Sequence, residues 1–151
     1  ADCARFLTDF ARSSPAERTA FQAVGLSLTR LAKDAGLPLL VGTDGPVFCS
    51  VPGANYALEL QLLARAGLTP LEILQAATLR PAEALAPGRR LGVLEEGYEA
   101  HVTLLTANPL DRVDAYAQPA GVYTRRRWLG REALDSLRRS AQAFDQRARE
   151  R

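Results

Sequence analysis

The sequence predicts an α/β fold in which helix–strand–helix units give way to antiparallel strands and a terminal helix. Three observations carry that prediction. Leu39, Leu40 and Val41 form a continuous apolar run, the pattern of a strand buried on both faces. Apolar residues recur at three- and four-residue spacing on either side of that run. From Arg89 onward the period changes from helical to strand-like.

Residues 2 to 12 predict a short helix with Cys3, Phe6, Leu7 and Phe10 on one face. Ser14-Pro15-Ala16-Glu17 opens a second helix, with Ser14 as N-cap, Pro15 in the first turn and Glu17 closing a capping box. Its stripe is Phe21, Val24, Leu28, Leu31 and Ala35, and Gly36 ends it. The buried strand follows, with Pro38 at its entrance, where a missing N–H is tolerated. Gly42, Gly45 and Pro46 stop the strand and force a turn. Asp44 is thereby carried at the carboxyl end of a parallel-type strand, where α/β proteins place their chemistry. A side-chain turn cap fits the same Asp-Gly pair.

A helix from about Asn55 to Ala66 comes next, its leucines spread round much of the circumference, which predicts cover on most sides. Gly67 stops it. In Leu68-Thr69-Pro70-Leu71-Glu72-Ile73, Thr69 caps, Glu72 reaches back, and Leu68 can staple against Ile73. A short helix opens at Pro81 and ends before Pro87-Gly88. Leu91 and Val93 then alternate towards a turn at Glu95-Glu96-Gly97, and His101 to Thr106 reads as a strand ended by Asn108-Pro109. Val122 to Thr124 and Arg127 to Leu129 flank Arg125-Arg126 as a hairpin, although Arg-Arg is a poor tight turn. A last helix from Arg131 carries Leu134, Leu137, Ala141, Phe144 and Ala148 on one stripe.

At 151 residues the chain can bury one good core. A net charge of +2 implies no bulk attraction to nucleic acid or membrane. No apolar run approaches the roughly 20 residues that span a bilayer. Cys3 and Cys49 are isolated thiols without metal spacing, which fits a reducing, cytoplasmic compartment. Cys49 has no neighbouring histidine to activate it and reads as an incidental thiol. Arg125-Arg126-Arg127-Trp128 reads as a solvated hairpin tip before a nucleic-acid patch. The absence of methionine leads us to expect a piece of something longer or a processed product.

Several segments, taken together, resemble one family. Val41-Gly-Thr-Asp44 is followed by Gly53 and by Glu59-Leu-Gln-Leu-Leu-Ala-Arg-Ala-Gly-Leu-Thr-Pro70. Ala76-Ala-Thr78, Pro81-Ala82, Leu91-Gly-Val-Leu-Glu-Glu-Gly97, Ala100, Leu104-Leu105 and Ala107-Asn-Pro-Leu110 come after in order. Over residues 37 to 130 the chain resembles the carboxyl-terminal part of the metal-dependent amidohydrolase superfamily, in particular its imidazolonepropionase- and prolidase-like members. The resemblance implies that residues 1–88 are the end of a (β/α)8 TIM-type barrel, with residues 16 to 66 as its seventh helix, eighth strand and eighth helix. Residues 89–130 would supply strands of a small β-sandwich, and residues 131–151 a C-terminal helix. Asp44 falls on the family's eighth-strand aspartate, which touches the metal and takes a proton from the metal-bound water. A metal lowers that water's pKa to about 7, and a carboxylate in hydrogen-bond range accepts the proton as attack begins.

The departures are as informative. Family members carry His-x-His on the first strand, a lysine or glutamate on the fourth, and histidines on the fifth and sixth. This chain has one histidine, His101, in a sandwich position where relatives have Asp. Ala57 stands where many relatives have His, and Tyr98 where Lys is common. A barrel takes about 250 residues and a catalytic zinc about three protein ligands, whereas Asp44 is the single ligand identified here. The resemblance therefore implies a divalent metal, most simply zinc, in the complete protein, held weakly or not at all by this chain alone. Three readings follow. The first is a hydrolase of carbon–nitrogen bonds acting on a small-molecule substrate, present as its C-terminal part. The second is a non-catalytic remnant or subunit that lends surface to the remaining barrel strands or to a copy of itself. The third is a small nucleic-acid-binding module.

Overall fold

The computed structural model describes residues 12–44 and 53–149. The expected helix over residues 2 to 12 falls almost wholly outside them, as do Cys3, the turn at Gly45-Pro46 and Cys49. The chain falls into two units, 1–77 and 78–151.

In the first unit, α1 spans Pro15–Asp34, α2 Ala54–Arg65 and α3 Pro70–Ala77. The predicted capping box opens α1: the Glu17 N–H donates to Ser14 Oγ (3.2 Å) and the Ser14 N–H to Glu17 Oε2 (2.6 Å). Two of the helix's orphan donors are satisfied in this way. Gly36, at φ 71°, takes the left-handed step that ends the helix. The second box opens α3, with the Glu72 N–H on Thr69 Oγ1 (3.2 Å) and the Thr69 N–H on Glu72 Oε2 (2.7 Å). Leu68 and Ile73 are both buried beside it, as a hydrophobic staple requires.

The core of this unit sits where α2 meets α3. Leu60, Leu63, Ala66, Leu68, Ile73 and Ala76 are its buried residues. Leu60 and Ile73 are wholly enclosed, and each such side chain contributes about 1.5–3 kcal/mol relative to exposure. The expected cover round most of α2 is met on the Leu60–Leu63 side only, since Leu58 stays exposed and Tyr56 is only partly covered. No residue of α1 is buried, and Phe21 is 82% exposed.

The strand expected at Leu39 to Thr43 is not formed. Residues 37–44 are neither helical nor laddered, and Val41 donates its N–H to Ala76 O (3.0 Å) at the C-terminal end of α3. A parallel strand exists through its neighbours on both edges, and the described residues supply none.

In the second unit, α4 spans Leu79–Leu85, β1 Val102–Leu105, β2 Pro119–Thr124, β3 Arg127–Gly130 and α5 Arg131–Arg149, with a 3₁₀ turn at Val113–Ala117. The strands form one antiparallel sheet in the order β1-β2-β3. Val102 faces Tyr123 and Thr103 faces Val122, and the register breaks between Leu104 and Leu105. Val122 faces Leu129 across the β2–β3 hairpin. Gly121 is needed where it stands, because a Cβ there would overlap the Trp128 ring. The expected strand character at Leu91 and Val93 is absent. Gly92 lies at φ 89°, and a Cβ on it would stand 2.7 Å from Thr78 O and 2.9 Å from Leu79 Cα. That left-handed residue, pressed on the start of α4, breaks the alternation. The second sheet of a sandwich is not formed by the described residues.

Candidate functional site

Asp44 ends the irregular segment after α1. It is exposed, and its backbone sits at φ 49°. Few residue types enter the left-handed region; Asp is among those that do so most readily. The segment's tie to the core is the Val41 N–H on Ala76 O, three residues before the carboxylate. Burial of Ala76 fixes that acceptor in the α2–α3 core.

Two polar side chains on α2 lie one turn apart. Burial raises the pKa of Glu59 and of Tyr56 by disfavouring their charged forms. Spacing i, i+3 puts them on one helix face. Neither stood out in the sequence, because an acidic residue within a leucine-rich helix reads as part of its polar side.

The α2–α3 corner is gripped by two cations from α1. Arg30 Nε donates to Ala66 O (3.2 Å) and Lys33 Nζ to Gly67 O (2.5 Å). Lys33 also lies 3.4 Å from Glu72 Oε2. The pKa of Glu72 is held below its ordinary value first by the Thr69 backbone N–H, then by the Thr69 hydroxyl and Lys33. A helix C-terminus carries partial negative charge and attracts cations. The only signal in the sequence was that the single lysine stands three residues after Arg30, near a helix end.

His101 belongs to the second unit, just before β1. Its Nδ1 is hydrogen-bonded to Thr124 Oγ1 (3.0 Å), and its Nε2 lies 4.0 Å from Glu99 Oε2. Glu99 is engaged by the guanidinium of Arg89 (3.0 and 2.6 Å), which lowers the pKa of its carboxyl. His101 is thus a partnered surface residue. Among the described residues no group of three or more His, Cys, Asp or Glu side chains could hold a metal ion. The described residues do not by themselves make a metal centre. Among the described residues no helix is long and apolar enough to cross a membrane.

Fold and site define an α/β chain with a lone carboxylate at the end of an apolar segment and a separate antiparallel sheet behind it in sequence. The sequence profile of the amidohydrolase family matches residues 23–127, and the chain belongs to that family. It is 41% identical over 90 residues to the ochratoxinase of Aspergillus niger, a match covering 58% of this chain and 18% of that protein. The crystal structure of A. niger ochratoxinase superposes with a TM-score of 0.65 at 29% identity, over 85% of this chain and 31% of the other. A prolidase-like protein from Bifidobacterium longum gives a TM-score of 0.63 at 36% identity, over 78% of this chain and 30% of the other. The chain therefore spans under a third of the relatives it matches.

Proposed function

We propose that this chain is the C-terminal part of a metal-dependent amidohydrolase that cleaves carbon–nitrogen bonds in small molecules, with Asp44 as its contribution to the reacting centre. The observation that carries this reading is the family match, whose span from residue 23 to residue 127 includes Asp44. In the complete protein, Asp44 is a metal ligand and the acceptor of the attacking water's proton. The metal, zinc in the simplest case, would supply acidity to that water. Asp44 itself needs only to stand ionised within hydrogen-bond range. The exposed Asp44 carboxylate, three residues beyond the backbone bond from Val41 to Ala76, suits a group completed by other parts of a protein.

Ochratoxin and dipeptides, chosen from the names of the relatives, form the first substrate panel, with lactams added from the imidazolonepropionase-like resemblance. Hydrolysis by the complete protein should fall by about 100- to 10,000-fold in Asp44→Ala, the range for a positioned acid–base group. Asp44→Asn should keep the fold and the left-handed backbone while losing activity. Full activity in either variant would refute the role.

The second reading, a remnant or subunit that lends surface to other barrel strands, is favoured by the exposed apolar stripe of α1. The two readings part on one measurement. A complete protein that retains no metal and hydrolyses nothing on the panel supports the second.

A further inference from the structure

We infer that Lys33 and Arg30 are positioning residues for Asp44, acting through α3. This rests on the reading of Asp44 as a proton acceptor. Three links make the connection. Lys33 and Arg30, one turn apart on α1, hold the carbonyls of Gly67 (2.5 Å) and Ala66 (3.2 Å), the two residues that follow the end of α2 at Arg65. Lys33 also holds Glu72 (3.4 Å), whose carboxylate closes the cap of α3 on the Thr69 N–H (2.7 Å) and hydroxyl (2.9 Å). At the other end of α3, Ala76 O accepts the Val41 N–H (3.0 Å). Three residues reach at most about 11 Å, so this tether sets the space in which Asp44 can move.

The corner is built for the grip. Gly67 lies at φ 99°, and a Cβ on it would stand 3.2 Å from an Arg30 guanidinium nitrogen. Ala66, Ile73 and Ala76 are all enclosed, so α3 transmits displacement as a packed rod. A surface ion pair alone would contribute little to stability. Lys33 differs because one ammonium bridges a helix C-terminus and the cap of the next helix. Without it, the two ends of the corner lose their common partner.

The test uses the complete protein with Lys33→Met, Lys33→Arg and Arg30→Met. Amide hydrogen exchange at Val41, kcat, KM and the melting temperature are read for each. A hydrogen bond to a charged group is worth enough that Lys33→Met should speed Val41 exchange by about tenfold. The kcat should fall by up to about 100-fold, the effect of misplacing a reacting group by roughly 1 Å. KM should stay within error, since substrate contacts are untouched. Lys33→Arg should restore both Val41 protection and kcat. Unchanged exchange at Val41 overturns the inference. So does faster exchange spread evenly over the whole chain, or faster Val41 exchange with kcat intact. Asp44→Ala run in parallel separates the two ideas. If Asp44→Ala keeps its activity, the role of Asp44 fails, and the clamp is then judged by Val41 exchange alone.

Discussion

At the scale of single residues, Glu59 gives a test that needs no substrate. Burial raises the pKa of its carboxyl on α2, so the folded chain binds its proton more tightly than the unfolded chain. The stability deficit is therefore present at neutral pH, where the group is ionised. It disappears as pH falls through the folded pKa towards the unfolded one. Glu59→Gln should raise stability at pH 7, by less than about 1 kcal/mol because the group is only partly withdrawn from water. The gain should vanish in acid. Denaturant melts of both forms across pH 3–8 would check this. An equal gain at every pH would mean that Glu59 acts through packing rather than charge. Glu72 has the opposite sign: its lowered pKa contributes stability above the ordinary carboxylate range and loses it as pH falls.

At the scale of elements, what was legible was local. Ser14 with Glu17 and Thr69 with Glu72 fix their helix starts within four residues, and both boxes formed as the sequence predicts. The final helix begins at Arg131 as expected. What was not legible depends on distant partners. Leu39 to Val41 has the composition of a buried strand, yet a ladder requires edges that the described residues do not supply. Leu91 and Val93 alternate correctly, but Gly92 turns the chain between them. The Lys33 clasp is not legible in the sequence because one of its partners is a backbone carbonyl, Gly67 O, and the other, Glu72, is distant in the chain. Asp44 stood out through its setting in the motif, and its left-handed backbone could not be read from residue type alone. The hairpin formed despite its turn: Arg125 and Arg126 both take positive φ, 49° and 62°. Left-handed backbone costs an ordinary residue about 1–2 kcal/mol, and Asn-Gly is the preferred pair for such a two-residue turn. Replacing Arg125-Arg126 with Asn-Gly should stabilise the second unit by about 1 kcal/mol or more, read as a higher unfolding midpoint. A lower midpoint would show that the arginines make compensating contacts.

At the scale of the whole molecule, the exposed apolar surface decides behaviour. Phe21, Val24, Leu28 and Leu31 are 82%, 57%, 61% and 63% exposed. Their spacing alternates three and four residues, the seam by which helices pack on one another. Leu37 and Leu40 continue the apolar surface beyond the helix, also exposed. Burying one such side chain contributes about 1.5–3 kcal/mol, so covering the stripe competes in size with the stability of a small domain, about 5–15 kcal/mol. Water is a poor final partner for that surface. In the complete protein the remaining barrel strands are the proposed cover. The 151-residue chain alone should instead pair with its own copies or aggregate, with a sedimentation coefficient that rises with concentration. Phe21→Asp with Leu28→Asp should move the distribution towards monomer while leaving the α2–α3 core intact, because neither residue is part of it. A compact wild-type monomer that persists at high concentration would sink this expectation. It would mean that α1 folds its stripe against its own chain in solution.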